Sequence, residues 1–552
     1  MILESNISNE HGLNDERGGQ YGQPVGASLV IDEREVVSPI DDRMFGSFVE
    51  HLGRCVYTGI YEPGHPCADD HGFRRDVIDL VKELGVTTIR YPGGNFVSGY
   101  RWEDGVGPVS RRPRRLDLAW HSTETNAFGL HEMVDWLDAV GGNELMEAVN
   151  LGTRGLQEAL DLLEYANIPS GTALSDLRRS NGADQPFDIR MWCLGNEMDG
   201  PWQTGHKTAE EYGALAASVA RGMKSMDSGL ELVVCGSSSH GMDTFGSWEA
   251  TVLEHAYEVA DFISCHAYYA PKSGDMASFM ASGADMDAFI NEVGAVVDSV
   301  KARKKTDHDV FISFDEWNVW YLEGEADKNP EGIDNWPVAP RLLEQCYTLA
   351  DAVVFGDLLL TLLRHADRVR SASLAQLVNV IAPIMTEPGG AAWRQTIFYP
   401  FALTSGLAKG GKVLNVHPIS ESVKTERYGD VDMIDATAVR MIDGGLAIFA
   451  VNRSLESTVD LTVNVASRHY GSVVAKTLHD DDWYACNTCA QPNRVKLSCN
   501  ETVALDGDAG TVRIALPPVS WTAIELRLID GHENIIRSEG REVVSIADQL
   551  AI

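Results

Sequence analysis

The chain has 552 residues, 44% hydrophobic and 23% charged, enough for roughly two to four soluble domains with large cores. Only 45 lysines and arginines face 81 acidic side chains, a formal net charge of −36. That balance opposes binding to nucleic acid or to an anionic membrane, and no run approaches the roughly 18 apolar residues of a membrane span.

Residues 1–26 read as a polar leader without the basic start and apolar core of a secretion signal, so a cytoplasmic protein is expected. Nine cysteines fit that compartment, with Cys193, Cys235 and Cys265 on apolar strands as small buried hydrophobes. Cys486-Asn487-Thr488-Cys489 is a CxxC near Cys499, but no second CxxC or paired histidines accompany it. Whether Cys486 and Cys489 pair is left open.

Residues 27–39 form a strand expected to join a later sandwich. A regular rhythm then begins. A short strand ends at Glu50-His51, and residues 73–84 have helix spacing, with Val77, Leu80, Val81 and Leu84 on one face. Residues 86–90 are β-branched and close on Tyr91-Pro92-Gly93-Gly94-Asn95. Further strand-and-helix pairs follow at 144–149 and 156–166, 189–194 and 208–223, 232–235 and 245–259, and 262–265 and 286–300. The last runs are a strand at 310–314, a long apolar helix over 341–363, and strand-like residues 372–375.

About eight strands alternating with helices predict a (β/α)8 TIM barrel over residues 40–395, α/β in class. An open doubly wound sheet is the runner-up, but no GxGxxG follows any strand. Insertions at 101–125 and 322–340, carrying Trp102, Trp120 and Trp336, are expected to wall a pocket. Short alternating strands then predict an all-β, jelly-roll-like sandwich over 396–529. Residues 530–552 are a tail on which the sequence is silent.

Two strand ends carry the chemistry. Met191-Trp192-Cys193-Leu194-Gly195-Asn196-Glu197 is an apolar run delivering an amide and a carboxylic acid. Val310-Phe311-Ile312-Ser313-Phe314-Asp315-Glu316-Trp317 repeats the design. Either alone could be a strand ending in an ordinary turn. Together they supply what a glycosidase needs, one acid to protonate the leaving oxygen and one carboxylate to attack or to activate water.

Five words in order carry a resemblance. They are Phe48-Val49-Glu50-His51-Leu52-Gly53-Arg54, Arg90-Tyr91-Pro92-Gly93-Gly94-Asn95, Leu194-Gly195-Asn196-Glu197-Met198-Asp199-Gly200-Pro201-Trp202, Asp315-Glu316-Trp317-Asn318-Val319-Trp320-Tyr321 and Gln376-Leu377-Val378-Asn379. With them the chain resembles the α-L-arabinofuranosidases of glycoside hydrolase family 51, from about residue 45 to residue 521. The resemblance implies a barrel plus a β-sandwich, a retaining double displacement, no metal or other cofactor, and oligomers, hexamers among them.

It also assigns roles. Glu197 resembles the general acid/base and Glu316 the nucleophile. Asn196 resembles the ligand of the sugar 2-hydroxyl, and Glu50 and Asn95 resemble ligands of other hydroxyls. Tyr268 resembles the tyrosine bonded to the nucleophile, and Trp320 and Gln376 resemble pocket residues. Arg90 could orient Glu316 or pair structurally with another carboxylate. His266 is expected to support the site through hydrogen bonds rather than to bind metal, while Asp199 and Asp315 are expected to point away.

The expected enzyme is exo-acting and takes small arabino-oligosaccharides, with α-1,2, α-1,3 and α-1,5 linkages all open. Competing readings are a β-xylosidase or endo-glucanase on the same barrel, a catalytically silent carbohydrate-binding protein, and a CxxC redox protein. The pair of glutamates argues against the silent binder, and the lack of basic residues beside Cys486 argues against the redox protein.

Overall fold

The computed structural model describes residues 24–272, 274–321, 329–466, 470–507 and 509–528. Residues 1–23 of the leader and the whole tail 530–552 lie outside the described residues.

Eight parallel strands close a barrel: Gly46–Phe48, Thr88–Tyr91, Glu144–Val149, Met191–Leu194, Glu231–Val234, Phe262–Tyr269, Phe311–Val319 and Val369–Leu374. Their spatial order is their chain order, and the last pairs back to the first through Ser373↔Gly46 and Leu374↔Ser47. Closure removes the open doubly wound alternative. The strands are buried because side chains fill the barrel on one face and helices cover the other.

The first helix, Arg75–Leu84, shows the local logic. Val77, Ile78, Leu80, Val81 and Leu84 are buried along one stripe. Gly85, at φ 78°, ends the helix in the left-handed region, its N–H donating to the Val81 carbonyl. A Cβ there would lie 2.5 Å from Ser405 Oγ, so glycine also permits the close approach.

Two expectations need correction. The long apolar helix begins at Leu349, not at 341, because Thr348 caps it: the Thr348 side chain accepts from Asp351 N–H while Asp351 bonds back. Residues 398–408 were expected to begin the sandwich but form a helix, Phe398–Ala408. That helix is apolar on nearly every side and packs on the barrel's core, so it shows no 3.6-residue stripe.

The all-β part is one ten-stranded sheet curled over its own core, which includes Leu29, Ile31, Ile448, Leu461, Val463 and Ile524. The early strand Val25–Pro39 lies in the middle, antiparallel to Lys412–Ile419 and parallel to Val459–Ala466. Strand Leu446–Asn452 is buried on both faces. Leu446, Ile448 and Ala450 face the domain's own core, while Ala447, Phe449 and Val451 join the barrel's apolar cluster.

Helix Leu349–Arg364 lies in this seam, which explains its buried length. A Cβ on Gly356 would come 2.3 Å from the Trp521 ring. Arg453 crosses the same seam to Asp357 at 2.8 Å and also holds Asp435 of its own sheet at 2.6 Å. Among the described residues, no helix is long and apolar enough to cross a membrane.

Candidate active site

The site forms at the carboxyl ends of the barrel strands. Strand Met191–Leu194 ends at Gly195, whose φ of 94° turns the chain, and Glu197 itself sits at φ 42°. A left-handed glutamate costs about 1–2 kcal/mol and persists only where its surroundings enforce it. Here the turn is closed by the Gly200 N–H donating to the Glu197 carbonyl at 2.9 Å.

Glu316 lies within strand Phe311–Val319 rather than beyond its end. The register with the preceding strand slips between Ser313 and Glu316. An unbroken strand would send Asp315 and Glu316 to opposite faces. At this irregularity both reach the same imidazole, that of His266. Its Nε2 meets Asp315 Oδ1 at 3.2 Å, and its Nδ1 lies 2.9 Å from Glu197 Oε1 and 3.6 Å from Glu316 Oε2.

A carboxylate oxygen of Glu197, one of Glu316 and a ring nitrogen of His266 lie within 4.8 Å of one another. That spacing could also hold a cation. Each glutamate oxygen, however, already has a protein partner. Arg90 Nη1 donates to Glu316 Oε1 at 2.8 Å and Tyr268 Oη to Glu316 Oε2 at 2.7 Å. Trp202 Nε1 donates to Glu197 Oε2 at 2.6 Å, and His266 faces Glu197 Oε1.

Burial alone would lower the basicity of His266, but Glu316, Asp315 and Glu197 together push it up to about 10. The three carboxyl groups thus favour its protonated form over the neutral one. Burial would raise the Asp315 carboxyl, yet Arg90 and His266 hold it below the usual carboxylate range. The Arg90 guanidinium also lies 4.6 Å over the Phe48 ring and gives Nη2 to Asn196 Oδ1 at 2.6 Å. Of the two readings open for Arg90, the contact with Glu316 is present, and so is one with Asp315 at 3.5 Å.

Glu50 sits across from these groups, 2% exposed. Its Oε1 accepts from Phe96 N–H at 2.9 Å and from Trp120 Nε1 at 3.0 Å, and its Oε2 from Gln376 Nε2 at 3.0 Å. Burial pushes its carboxyl up to about 8, with a smaller contribution from Glu316. Gly94 shows how tightly the groups converge. A Cβ there would lie 3.0 Å from Glu316 Oε1 and 3.4 Å from both Asn196 Nδ2 and Glu50 Oε2.

Asn95 stands beside Asn196 at 3.5 Å, and Trp320 packs edge-on against Tyr268 with ring centroids 5.0 Å apart. The structure thus brings Glu50, Arg90, Asn95, Asn196, Glu197, His266, Tyr268, Glu316, Trp320 and Gln376 into one neighbourhood.

Three features were not anticipated. Asp315 does not point away but holds His266 and Arg90. The signal was its adjacency to Glu316, unreadable without the register slip. Trp202 donates to Glu197 from a turn five residues on, where sequence shows only a Gly-Pro turn. Trp102 does not wall the pocket; it is buried against Tyr165, centroids 5.0 Å apart.

Asp199 behaves as expected, accepting from Ser238 N–H and Oγ at 3.0 Å each. The two insertions clasp each other. Thr123 N–H donates to the Pro337 carbonyl at 2.9 Å, and His121 stacks on Trp336 at 3.7 Å. Residues 322–328 of the second insertion lie outside the described residues.

Comparison with known proteins gives the family. Residues 80–280 match the family model described as "Alpha-L-arabinofuranosidase 1 domain", and residues 315–520 the one described as "Alpha-L-arabinofuranosidase C-terminal domain". The chain is 68% identical over 505 residues to an exo-α-(1→6)-L-arabinofuranosidase of Bifidobacterium longum, covering 90% of this chain and 97% of that one. It is 56% identical over 500 residues to an intracellular exo-α-(1→5)-L-arabinofuranosidase of Streptomyces lividans, covering 90% and 75%.

Among solved structures, a family 51 α-L-arabinofuranosidase from Bifidobacterium longum superposes with a TM-score of 0.87 at 50% identity, covering 91% of this chain and all of that one. The arabinose complex of the Thermotoga maritima α-L-arabinofuranosidase gives 0.81 at 34% identity, with the same coverage. Two matching domain models, close relatives over nine-tenths of the chain and a shared fold lead to one assignment: the chain belongs to the α-L-arabinofuranosidases of glycoside hydrolase family 51 and is an arabinofuranosidase that releases arabinofuranosyl residues by hydrolysis.

Proposed function

We propose that this arabinofuranosidase is an exo-acting, retaining enzyme that works by double displacement, with Glu316 as nucleophile and Glu197 as general acid/base. One observation carries the reading: one carboxylate oxygen of Glu197 and one of Glu316 lie within 4.8 Å of each other, a close approach of the two carboxyl groups. Carboxyl groups about 5–5.5 Å apart go with retention, whereas inversion needs about 6.5–9.5 Å to admit a water between them.

Glu316 attacks the anomeric carbon as Glu197 protonates the departing oxygen, giving an arabinosyl ester on Glu316. Glu197 then takes a proton from water, which displaces Glu316. Arg90 and His266 face the carboxyl groups of Asp315, Glu197 and Glu316 and fix the positions of the nucleophile and the acid/base. Glu50, Asn95, Asn196 and Gln376 are the candidates to hold the sugar hydroxyls, and Trp320 and Trp120 to wall the ring.

We also propose short arabino-oligosaccharides as substrates, a cytoplasmic location and a homo-oligomeric assembly, a hexamer being the form to test by light scattering. The relatives named for α-(1→6) and α-(1→5) linkages both act on bonds to a primary hydroxyl carbon. A primary-alcohol leaving group is therefore the reading favoured over α-1,2 and α-1,3 bonds. Aryl α-L-arabinofuranoside, β-D-xyloside and β-D-glucoside compared side by side separate the arabinofuranoside reading from xylosidase or glucanase action.

Azide tests the two roles. With an activated aryl arabinofuranoside, Glu197→Ala should form the ester without protonation and stall, and azide should release the α-azide after two displacements. Glu316→Ala should give the β-azide by a single displacement. A β product from Glu197→Ala, or full activity in Glu316→Ala, would refute the assignment.

A further inference from the structure

The CxxC at Cys486 and Cys489 has a different neighbour from the one its spacing suggests. All nine cysteines are free thiols. The loop carrying Cys486 reaches from the all-β domain to the segment just before helix Leu349–Arg364 and pairs with it like a strand. Leu349 N–H donates to the Ala485 carbonyl at 2.9 Å, Ala350 N–H to the Trp483 carbonyl at 3.0 Å, and Thr348 stands opposite Cys486 in antiparallel register.

Cys346 lies two residues before Thr348. Its thiol donates to the carbonyl of Asn487, the residue next to Cys486, at an S···O distance of 3.7 Å. Cys346 is exposed and Cys486 half-buried, so small solutes reach the pair.

We propose that Cys346 and Cys486 form a peroxide-oxidisable dithiol, whose disulfide staples the all-β domain to the barrel. The oxidant is a hydroperoxide. The Cys486 thiolate attacks a peroxide oxygen: an S–O bond forms, the O–O bond breaks, and hydroxide departs as water. Cys346 then attacks that sulfenic sulfur: the S–S bond forms, the S–O bond breaks, and the second oxygen leaves as water with the Cys346 proton. Two thiols lose two electrons, and one hydrogen peroxide becomes two waters.

The order of attack follows from the surroundings. The neighbouring Cys346 thiol holds the Cys486 thiol below its ordinary range, against the opposing effects of burial, Asp351 and Asp482. Cys486 therefore carries more thiolate, the reactive form. The side chain of Asn487 braces the loop, bonding the Val495 carbonyl at 2.9 Å and the Val495 N–H at 2.8 Å. Cys489 lies beyond that brace, exposed.

The test uses the reduced, full-length protein treated with one equivalent of hydrogen peroxide. Two of its nine thiols should disappear on titration after denaturation. A non-reducing peptide map should link Cys346 to Cys486, and the thermal midpoint should rise by several degrees, because the bond closes a long loop of the unfolded chain. Cys346→Ser should stop at the sulfenic acid on Cys486, which dimedone captures. Cys486→Ser should keep all its remaining thiols. A Cys486–Cys489 link, loss of two thiols in Cys346→Ser, an unmoved thermal midpoint, or no thiol loss in excess peroxide would each overturn the proposal.

Discussion

Replacing Tyr268 by phenylalanine removes one hydrogen bond and little else. The hydroxyl donates to Glu316 Oε2 at 2.7 Å, and the ring, which packs against Trp320, is kept. A hydrogen bond to an ionised acceptor is worth about 1.5–3 kcal/mol, or ~10- to 150-fold in rate if it acts wholly at a transition state. It acts unequally on the two steps. The bond is strongest to the free carboxylate and weak to the ester.

In the first step the carboxylate is a reactant, so losing the bond destabilises the ground state as well and the effect largely cancels. In the second step the carboxylate is the leaving group, and its departure loses the full support. Expected for Tyr268→Phe with dinitrophenyl arabinofuranoside is a fall in kcat of ~10- to 100-fold, with kcat/KM changed less than ~5-fold. Stopped-flow absorbance should show a burst near one phenolate per site. Equal losses in kcat and kcat/KM without a burst would refute the reasoning.

Glu50→Gln should stabilise the protein increasingly as pH rises. The folded Glu50 carboxyl titrates at about 8, above its unfolded value, so its contribution to stability is present at acid pH and is lost as pH climbs towards 8. The thermal midpoint of the variant should match the parent near pH 5 and exceed it by several degrees at pH 8; a constant difference would count against burial as the cause. Trp120→Phe deletes the 3.0 Å bond to Glu50 and should raise KM by about 5-fold, roughly 1 kcal/mol, with kcat nearly unchanged in steady-state assays. Gly356→Ala should lose about 1–3 kcal/mol in urea unfolding despite alanine's better helix propensity, because its methyl would meet the fully buried Trp521 ring at 2.3 Å.

Much of this molecule is written in short-range pattern. The barrel strands are apolar runs ending in polar words, and the helices between them carry one apolar stripe, as in Val77, Leu80, Val81 and Leu84. The sandwich strand Val459–Ala466 alternates buried and exposed residues as its sequence does. Glu197 and Glu316 were legible for the same reason, because each follows an apolar strand core within a few residues. Helix Phe398–Ala408 was not, since burial on nearly every side erases the stripe. What only the tertiary structure decided is distance. A register slip beside Glu316 turns Asp315 and Glu316 towards one histidine, and a left-handed Glu197 brings its carboxylate to the same ring. Barrel closure then sets Glu50 and Arg90, from the first two strands, around the same point as Glu316 on the seventh. A carboxylate separation of this kind depends on backbone irregularities and ring closure, and neither leaves a periodic trace in the order of the residues.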